Sequence, residues 1–322
     1  MYKLPSPKRI IMWALTYKCN ASCEYCYLAD YQQPMPDISY NDYKTIATKI
    51  INSPWKPDAI WLTGGEPTVL PFFAEIVDIL TSAGMKVVIN TNSLAKDHNL
   101  KNILNAQPSG IIVSVDNNLN EQLESGYNRG IPASKILERI QFISNNKSPN
   151  TLLGTAVVLS KYTLDTFDDY ISKMIELGVD YVSINPMHGN DSLSLEQYNR
   201  FCAKLETYRK NCNILFPSKF YFDLLRETLF SHIDFYAPCP AMQSFYFISP
   251  WGYVYPCSNE IWHATDSYVN MLTSDDWFNK AKEIGRNQQL NLSTTSKCFG
   301  ERCAGCWKLF FDTIFSGELL YQ

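Results

Sequence analysis

Three cysteines lie close together near the beginning of the 322-residue sequence, at Cys19, Cys23 and Cys26. The residues before them, Met1–Arg9, are polar and contain no apolar core of a secretion signal, so we expect a cytoplasmic protein whose thiols stay reduced. Clustered cysteines in such a protein are interpreted first as metal ligands. The sequence therefore predicts a metal centre in this loop.

The number of thiols indicates which metal centre this is. Three thiolates fit zinc poorly unless a fourth ligand is supplied. They suit a 4Fe–4S cluster in which the protein holds three irons and the fourth iron is open to a bound reactant. One alternative stays open, a zinc knuckle completed by His98 or by a distant cysteine.

The elements that must position this loop follow a regular pattern. About two-thirds of the chain alternates between apolar strand-like segments and amphipathic helical segments, and six βα units are visible, from a strand at 9–16 to one at 181–186. Buried strands separated by helices predict an α/β fold with a parallel sheet, here a partial (β/α)6 barrel of the TIM type. In such barrels the chemistry lies at the carboxyl ends of the strands, where the cysteine loop follows the first strand.

These motifs together resemble the radical S-adenosylmethionine (SAM) superfamily. The signature of that family, C-x3-C-x-aromatic-C, is present as Cys19, Cys23, Tyr25 and Cys26. Its glycine-rich turn after the second strand matches "TGGEP" at Thr63–Pro67, where glycines let the backbone approach a ligand closely. A zinc knuckle leaves this second motif unexplained, which favours the iron–sulfur cluster.

The resemblance also implies how SAM is bound. The glycine-rich turn would approach the methionine amine, and polar residues at the ends of the third and fourth strands would contact the ribose and the carboxylate. The residues expected to bind the cofactor are Tyr25, Gly64, Gly65, Glu66, Asn90, Asn92, Ser114 and Asp116.

The last third of the chain has a different character, with more aromatic residues and a second set of cysteines. Strand-like segments on either side of a Pro-Trp-Gly turn predict a hairpin that brings Cys239 and Cys257 within reach of one metal. Cys303 and Cys306 supply two further thiolates, so four ligands can close an auxiliary iron–sulfur cluster. A zinc ribbon is the alternative. We interpret Cys298 as a spare thiol, although it could replace one of the four ligands.

This region resembles the twitch module, a shortened form of the SPASM module, of radical SAM enzymes. We therefore expect two domains, a radical SAM (β/α)6 barrel over residues 1–215 and a small cysteine-rich α+β module over residues 216–322. A full SPASM domain has further cysteines downstream, and none follows Cys306.

The resemblance implies a reaction. An electron from the reduced cluster would cleave SAM to methionine and a 5'-deoxyadenosyl radical, which takes hydrogen from a substrate C–H bond. The auxiliary 4Fe–4S cluster would then accept the second electron as the substrate is oxidised, and a flavodoxin or ferredoxin would supply the first. His188 follows the sixth strand and is a candidate proton acceptor, or else an ordinary loop histidine.

The substrate is the least determined feature. The net charge is −4 without a basic stripe, so we expect no nucleic-acid partner, and no segment reads as a membrane span. The first hypothesis is a maturase that oxidises or cross-links a ribosomal peptide, with peptide recognition supplied by a separate protein. The alternatives are a dehydrogenase of a small polyol or aminoglycoside-type precursor, and a non-catalytic iron–sulfur electron carrier.

Overall fold

The computed structural model of the protein describes most of the barrel and part of the C-terminal region. The described residues are 9–23, 26, 28, 38–115, 119, 131–161, 164–186, 192–226, 229–230, 244–255 and 268–292. Several predicted site residues lie outside the described residues, namely Tyr25, Asp116, His188, Cys239, Cys257, Cys298, Cys303 and Cys306.

Six parallel strands, each followed along the chain by an α-helix, form the main body of the protein. The strands are β1 (Ile10–Thr16), β2 (Ala59–Gly64), β3 (Val87–Thr91), β4 (Gly110–Ser114), β5 (Leu152–Leu159) and β6 (Tyr181–Pro186). The helices are α1 (Tyr40–Ile51), α2 (Phe73–Ser82), α3 (Asp97–Asn105), α4 (Ala133–Asn146), α5 (Phe167–Glu176) and α6 (Leu195–Asn211). The strands pair in sequential order, which confirms the predicted α/β fold with six βα units.

Burial on both faces explains why the strands read as continuous apolar runs. Every residue of β1 is buried, because helices cover one face of the sheet and the barrel interior the other. Trp13 faces the helical layer, where its ring lies 6.1 Å from that of Tyr43 in α1. A capping box formed by Ser39 and Asp42 begins α1, so this helix has a defined start after the cysteine loop.

The predicted C-terminal hairpin is present and extends the barrel sheet. Its strands are β7 (Phe245–Ile248) and β8 (Tyr253–Tyr255), and Gly252 in the connecting turn has φ +82°. The sequence did not predict that β7 pairs in parallel with β1. A further short strand, β9 (Val269–Asn270), pairs with β8 in the antiparallel direction. The result is one nine-stranded sheet in the order β6-β5-β4-β3-β2-β1-β7-β8-β9. This sheet runs across the predicted boundary at residue 215, and the boundary itself stays a prediction.

The C-terminal segment is also tied to the barrel through side chains. Lys49 at the end of α1 donates hydrogen bonds from Nζ to the carbonyl oxygens of Met271 (2.8 Å) and Ser274 (3.1 Å) and to Asp275 Oδ1 (2.9 Å). The other described helices are α7 (Lys219–Arg226), α8 (Trp277–Leu292) and a short 3-10 helix at Pro67–Val69. Within the described ranges, none of the helices has the length and apolar character needed to cross a membrane.

Candidate active site

The cysteine loop begins directly after β1, at the carboxyl edge of the sheet. Cys19 is exposed, while Cys23 and Cys26 are half-buried. The Cys26 N–H donates to the Cys23 carbonyl at 3.1 Å, and the Ala21 N–H donates to Cys19 Sγ at 3.4 Å. Partial burial of its thiol raises the pKa of Cys19; the Ala21 N–H opposes this rise and the negative charge of Glu66 adds to it.

The structure places the three predicted cluster ligands on one loop without drawing their thiols together. Among the described residues, no three His, Cys, Asp or Glu side chains are arranged so that they could hold one metal ion. His98, the alternative fourth ligand of a zinc knuckle, is exposed on α3. The assignment of Cys19, Cys23 and Cys26 as cluster ligands stays a prediction.

The glycine-rich turn after β2 packs directly against the segment that leads into the cysteine loop. The Gly65 N–H donates to the Thr16 carbonyl at 2.6 Å, and the Glu66 N–H donates to the Lys18 carbonyl at 2.8 Å. A Cβ on Gly64 would lie 2.2 Å from the Thr16 carbonyl oxygen, and one on Gly65 would lie 2.2 Å from that of Lys18. The glycines thus let the backbone of this segment approach closely, and the approach of a ligand to the same turn stays a prediction.

Glu66 is a buried carboxylate that connects this turn to the end of β3. Only 1% of the residue is exposed. Its Oε1 accepts from the Thr68 N–H (3.1 Å), the Thr68 hydroxyl (2.6 Å) and the Thr91 hydroxyl (2.7 Å), and its Oε2 accepts from the Asn92 N–H (2.6 Å). Burial raises the pKa of Glu66, and these four hydrogen bonds oppose the rise. The carboxylate therefore braces the ends of two neighbouring strands.

We expect Glu66→Ala to lower the free energy of unfolding by about 3 kcal/mol, because it leaves the buried donors without an acceptor. Glu66→Gln should cost about half as much, since a glutamine oxygen can replace Oε1 but its amide group then meets the Asn92 N–H donor to donor. Urea unfolding measures both values. Glu138→Ala, at an exposed position of α4, is the control and should change stability by about 0.5 kcal/mol at most. Equal stability of Glu66→Ala and wild type would contradict the bracing role.

Polar residues predicted to bind SAM share one face of the sheet. Asn90 is in register with Ile112, which lies two residues before Ser114, so Asn90 and Ser114 lie on the same face. Ser114 is in turn level with Ala156 and Ser183. Asn90 Oδ1 is buried and accepts no hydrogen bond from any described residue. This face, on the interior side of the sheet, offers polar groups to a ligand at the carboxyl ends of the strands.

Two residues of this region were missed by sequence reasoning. Asn20 Oδ1 accepts a hydrogen bond from Asn92 Nδ2 at 2.7 Å, which joins the cysteine loop to the end of β3. The ring of Tyr17 meets that of Trp251 edge to face at 5.3 Å, which joins the start of the loop to the β7–β8 turn. Their closeness to Cys19 in the sequence could have marked both residues as part of the site. No spacing rule could have identified their partners, Trp251 and Asn92.

The comparison with known protein families agrees with this geometry. Residues 13–172 match the Radical SAM superfamily. This part of the chain is a radical SAM domain. It contains the cysteine loop, the glycine-rich turn and the strand ends described above. The superfamily predicted from these motifs is thereby confirmed, whereas the twitch or SPASM-like module stays a prediction.

Individual relatives resemble the chain over different lengths. The antilisterial bacteriocin subtilosin biosynthesis protein AlbA of Bacillus subtilis is 24% identical over 313 residues, which are 91% of this chain and 66% of AlbA. A tungsten-containing aldehyde ferredoxin oxidoreductase cofactor-modifying protein of Pyrococcus furiosus is 24% identical over 229 residues, 66% of this chain and 63% of its own length. The chain thus spans just under two thirds of each relative.

Among solved structures, SuiB of Streptococcus suis bound to its precursor peptide SuiA has the same fold. The TM-score is 0.70 at 16% identity, and the match covers 94% of this chain and 71% of SuiB. The likeness supports the predicted partial barrel.

Proposed function

We propose that this protein is a radical SAM enzyme that oxidises or cross-links a peptide. The observation that carries the proposal is the meeting of three features at one edge of the sheet, within the radical SAM domain. These are the cysteine loop after β1, the glycine-rich turn after β2 and the polar strand ends of β3 and β4. The peptide class rests on AlbA, a bacteriocin biosynthesis protein that matches over 91% of this chain, and SuiB, whose structure holds a precursor peptide.

The residues present fit the cofactors that the superfamily implies, a 4Fe–4S cluster and SAM. Cys19, Cys23 and Cys26 would hold the cluster, since three thiols on one loop leave one iron for SAM. The buried, unpaired oxygen of Asn90 can accept a hydrogen bond from a polar ligand, and the hydroxyl of Ser114 on the same face of the sheet can donate or accept one. When bound, these cofactors supply a one-electron cleavage of SAM that yields a hydrogen-abstracting radical. The predicted SAM contacts of Tyr25 and Asp116 fall outside the described residues.

The contribution of the chain itself is to hold these groups in position. The loop and the turn are joined by backbone hydrogen bonds from Gly65 to Thr16 at the end of β1 and from Glu66 to Lys18, two residues later. The buried Glu66 carboxylate fixes the turn to β3. Such preorganisation holds reacting groups close enough for one hydrogen atom to be transferred selectively. We propose that His188 then accepts a proton from the substrate.

We further propose that Cys239, Cys257, Cys303 and Cys306 hold an auxiliary 4Fe–4S cluster, with Cys298 as a spare thiol. The described part of the hairpin supports this proposal, because β7 pairs with β1 and so starts from the same sheet as the cysteine loop. Trp251 adds a ring contact between the hairpin and Tyr17, and Lys49 of α1 holds the segment that follows β9. A flavodoxin or ferredoxin would supply electrons, and a separate protein would present the peptide.

The peptide substrate can be tested directly with anaerobically reconstituted protein, SAM and dithionite. We expect 5'-deoxyadenosine to form, and a precursor peptide encoded beside the gene to lose two hydrogen atoms for each oxidation or cross-link, as measured by mass spectrometry. Peptide deuterated at the modified position should transfer deuterium to 5'-deoxyadenosine, because the radical takes that hydrogen.

Small polyols and aminoglycoside precursors are the matched alternative substrates. Deuterium transfer from one of them, with no change in the peptides, would show that the enzyme is a small-molecule dehydrogenase. Absence of SAM cleavage by the reduced protein would overturn the radical SAM activity itself.

A further inference from the structure

The hydrogen bond between Asn92 and Asn20 connects the end of β3 to the cysteine loop across 72 positions of sequence. We propose that Asn92 is a positioning residue, which holds the loop in place for the cluster through Asn20. The inference rests on the proposed function, because it assumes that the loop carries the cluster.

The orientation of Asn92 is set by its surroundings. The residue is 5% exposed, and its backbone N–H donates to Glu66 Oε2 at 2.6 Å. Its side-chain Oδ1 accepts from the Leu94 N–H at 3.1 Å. Because that backbone group can only donate, the amide oxygen must face Leu94 and the amide nitrogen must face Asn20. Asn92 therefore presents a fixed donor to the loop.

The other end of the bond lies beside a predicted ligand. Asn20 directly follows Cys19, and both residues are exposed. The next residue, Ala21, donates its N–H to Cys19 Sγ at 3.4 Å. Asn20 therefore lies between Cys19 and the N–H group that contacts the Cys19 thiol. A restraint on Asn20 acts on both of its peptide bonds, to Cys19 and to Ala21, and so on the orientation of the thiol. The donor side is rigid, because Asn92 is tied to the buried carboxylate of Glu66.

An exposed loop loses conformational freedom when it binds a cluster, and this loss weakens binding. A buried donor that already restrains the loop reduces the loss. Partners that orient metal ligands in this way typically contribute about 10–100-fold to metal affinity. We therefore expect loss of the Asn20–Asn92 bond to weaken cluster retention by about 10-fold while the barrel stays folded.

The test is a double-mutant cycle on the reconstituted holoprotein, with Asn20→Ala, Asn92→Ala and the double variant. The measured quantity is the rate at which an iron chelator removes the cluster, followed by the loss of visible absorbance. We expect each single variant to lose the cluster about 10-fold faster than wild type and the double variant to lose it no faster than the faster single variant. Asn20→Ala should leave the unfolding midpoint of the cluster-free protein unchanged.

Asn102→Ala, at an exposed position of α3, is the control and should retain the cluster like wild type. Wild-type retention in Asn20→Ala, or rate increases that multiply in the double variant, would overturn the positioning role. Either result leaves the proposed function intact, provided that wild type binds a cluster and cleaves SAM. A wild-type protein that binds no iron after reconstitution would instead overturn the proposed function, and this inference with it.

Discussion

Replacing Cys19, Cys23 and Cys26 together with alanine should abolish the formation of 5'-deoxyadenosine from SAM. The reason is that the three thiols are the proposed ligands of the cluster that delivers the electron. Iron content should fall at the same time from about eight to about four atoms per chain, because the proposed auxiliary cluster on other cysteines would be retained. Iron analysis and chromatography of the SAM products after anaerobic reconstitution measure both effects.

Two controls make this result specific. Cys202→Ala, at a half-buried position of α6, should retain iron and SAM cleavage, because this thiol lies on a helix that contributes no proposed ligand. Cys303→Ala should lose iron but keep the first cluster. If the triple variant cleaves SAM at the wild-type rate, the ligand assignment is wrong. A wild-type content near four irons, or one zinc per chain at the C-terminal cysteines, would disprove the auxiliary cluster.

The second large effect is expected for Gly65→Ala, a change of one methyl group. The new Cβ would lie 2.2 Å from the Lys18 carbonyl oxygen and 2.8 Å from that of Tyr17. These are backbone atoms, so relief requires the segment before the cysteine loop to move away and the hydrogen bond from the Glu66 N–H to Lys18 to break. We expect a loss of about 3 kcal/mol in the free energy of unfolding and at least about 10-fold faster cluster loss.

Gly110→Ala is the matched control, because it adds the same methyl group at the first residue of β4, in the same sheet but away from the cysteine loop. The nearest neighbours of that Cβ are Val88 Cγ2 at 3.5 Å and the Leu152 carbonyl oxygen at 3.6 Å, which are ordinary contacts. Its stability should change by about 1 kcal/mol at most. Urea unfolding and chelator-driven cluster loss compare the two variants. If the two variants have the same stability and the same rate of cluster loss, close packing between the glycine-rich turn and the cysteine-loop segment does not explain the glycine at position 65.

Local patterns in the sequence determined the barrel and the position of its chemistry. Strand and helix periodicity is carried by residues a few positions apart, so six βα units could be predicted with bounds close to those observed. The cysteine loop and the "TGGEP" turn are likewise contiguous motifs. Parallel strands place their carboxyl ends at one edge of the sheet, and each of these two motifs directly follows a strand. The order of the segments along the chain therefore predicted that the two motifs lie at the same edge.

Contacts between distant residues were decided only by the tertiary structure. The pairing of β7 with β1 joins segments more than two hundred residues apart, and no local pattern distinguishes a hairpin in a separate module from one that extends the barrel sheet. The same holds for Glu66, whose role as a brace depends on Thr91 and Asn92 at the end of another strand. Asn20 shows the limit most clearly, because no sequence pattern pairs an exposed asparagine beside a cysteine with Asn92, whose Nδ2 lies 2.7 Å from Asn20 Oδ1. Sequence periodicity specifies which face a residue occupies, whereas the partner of a polar group depends on how strands and loops pack in three dimensions.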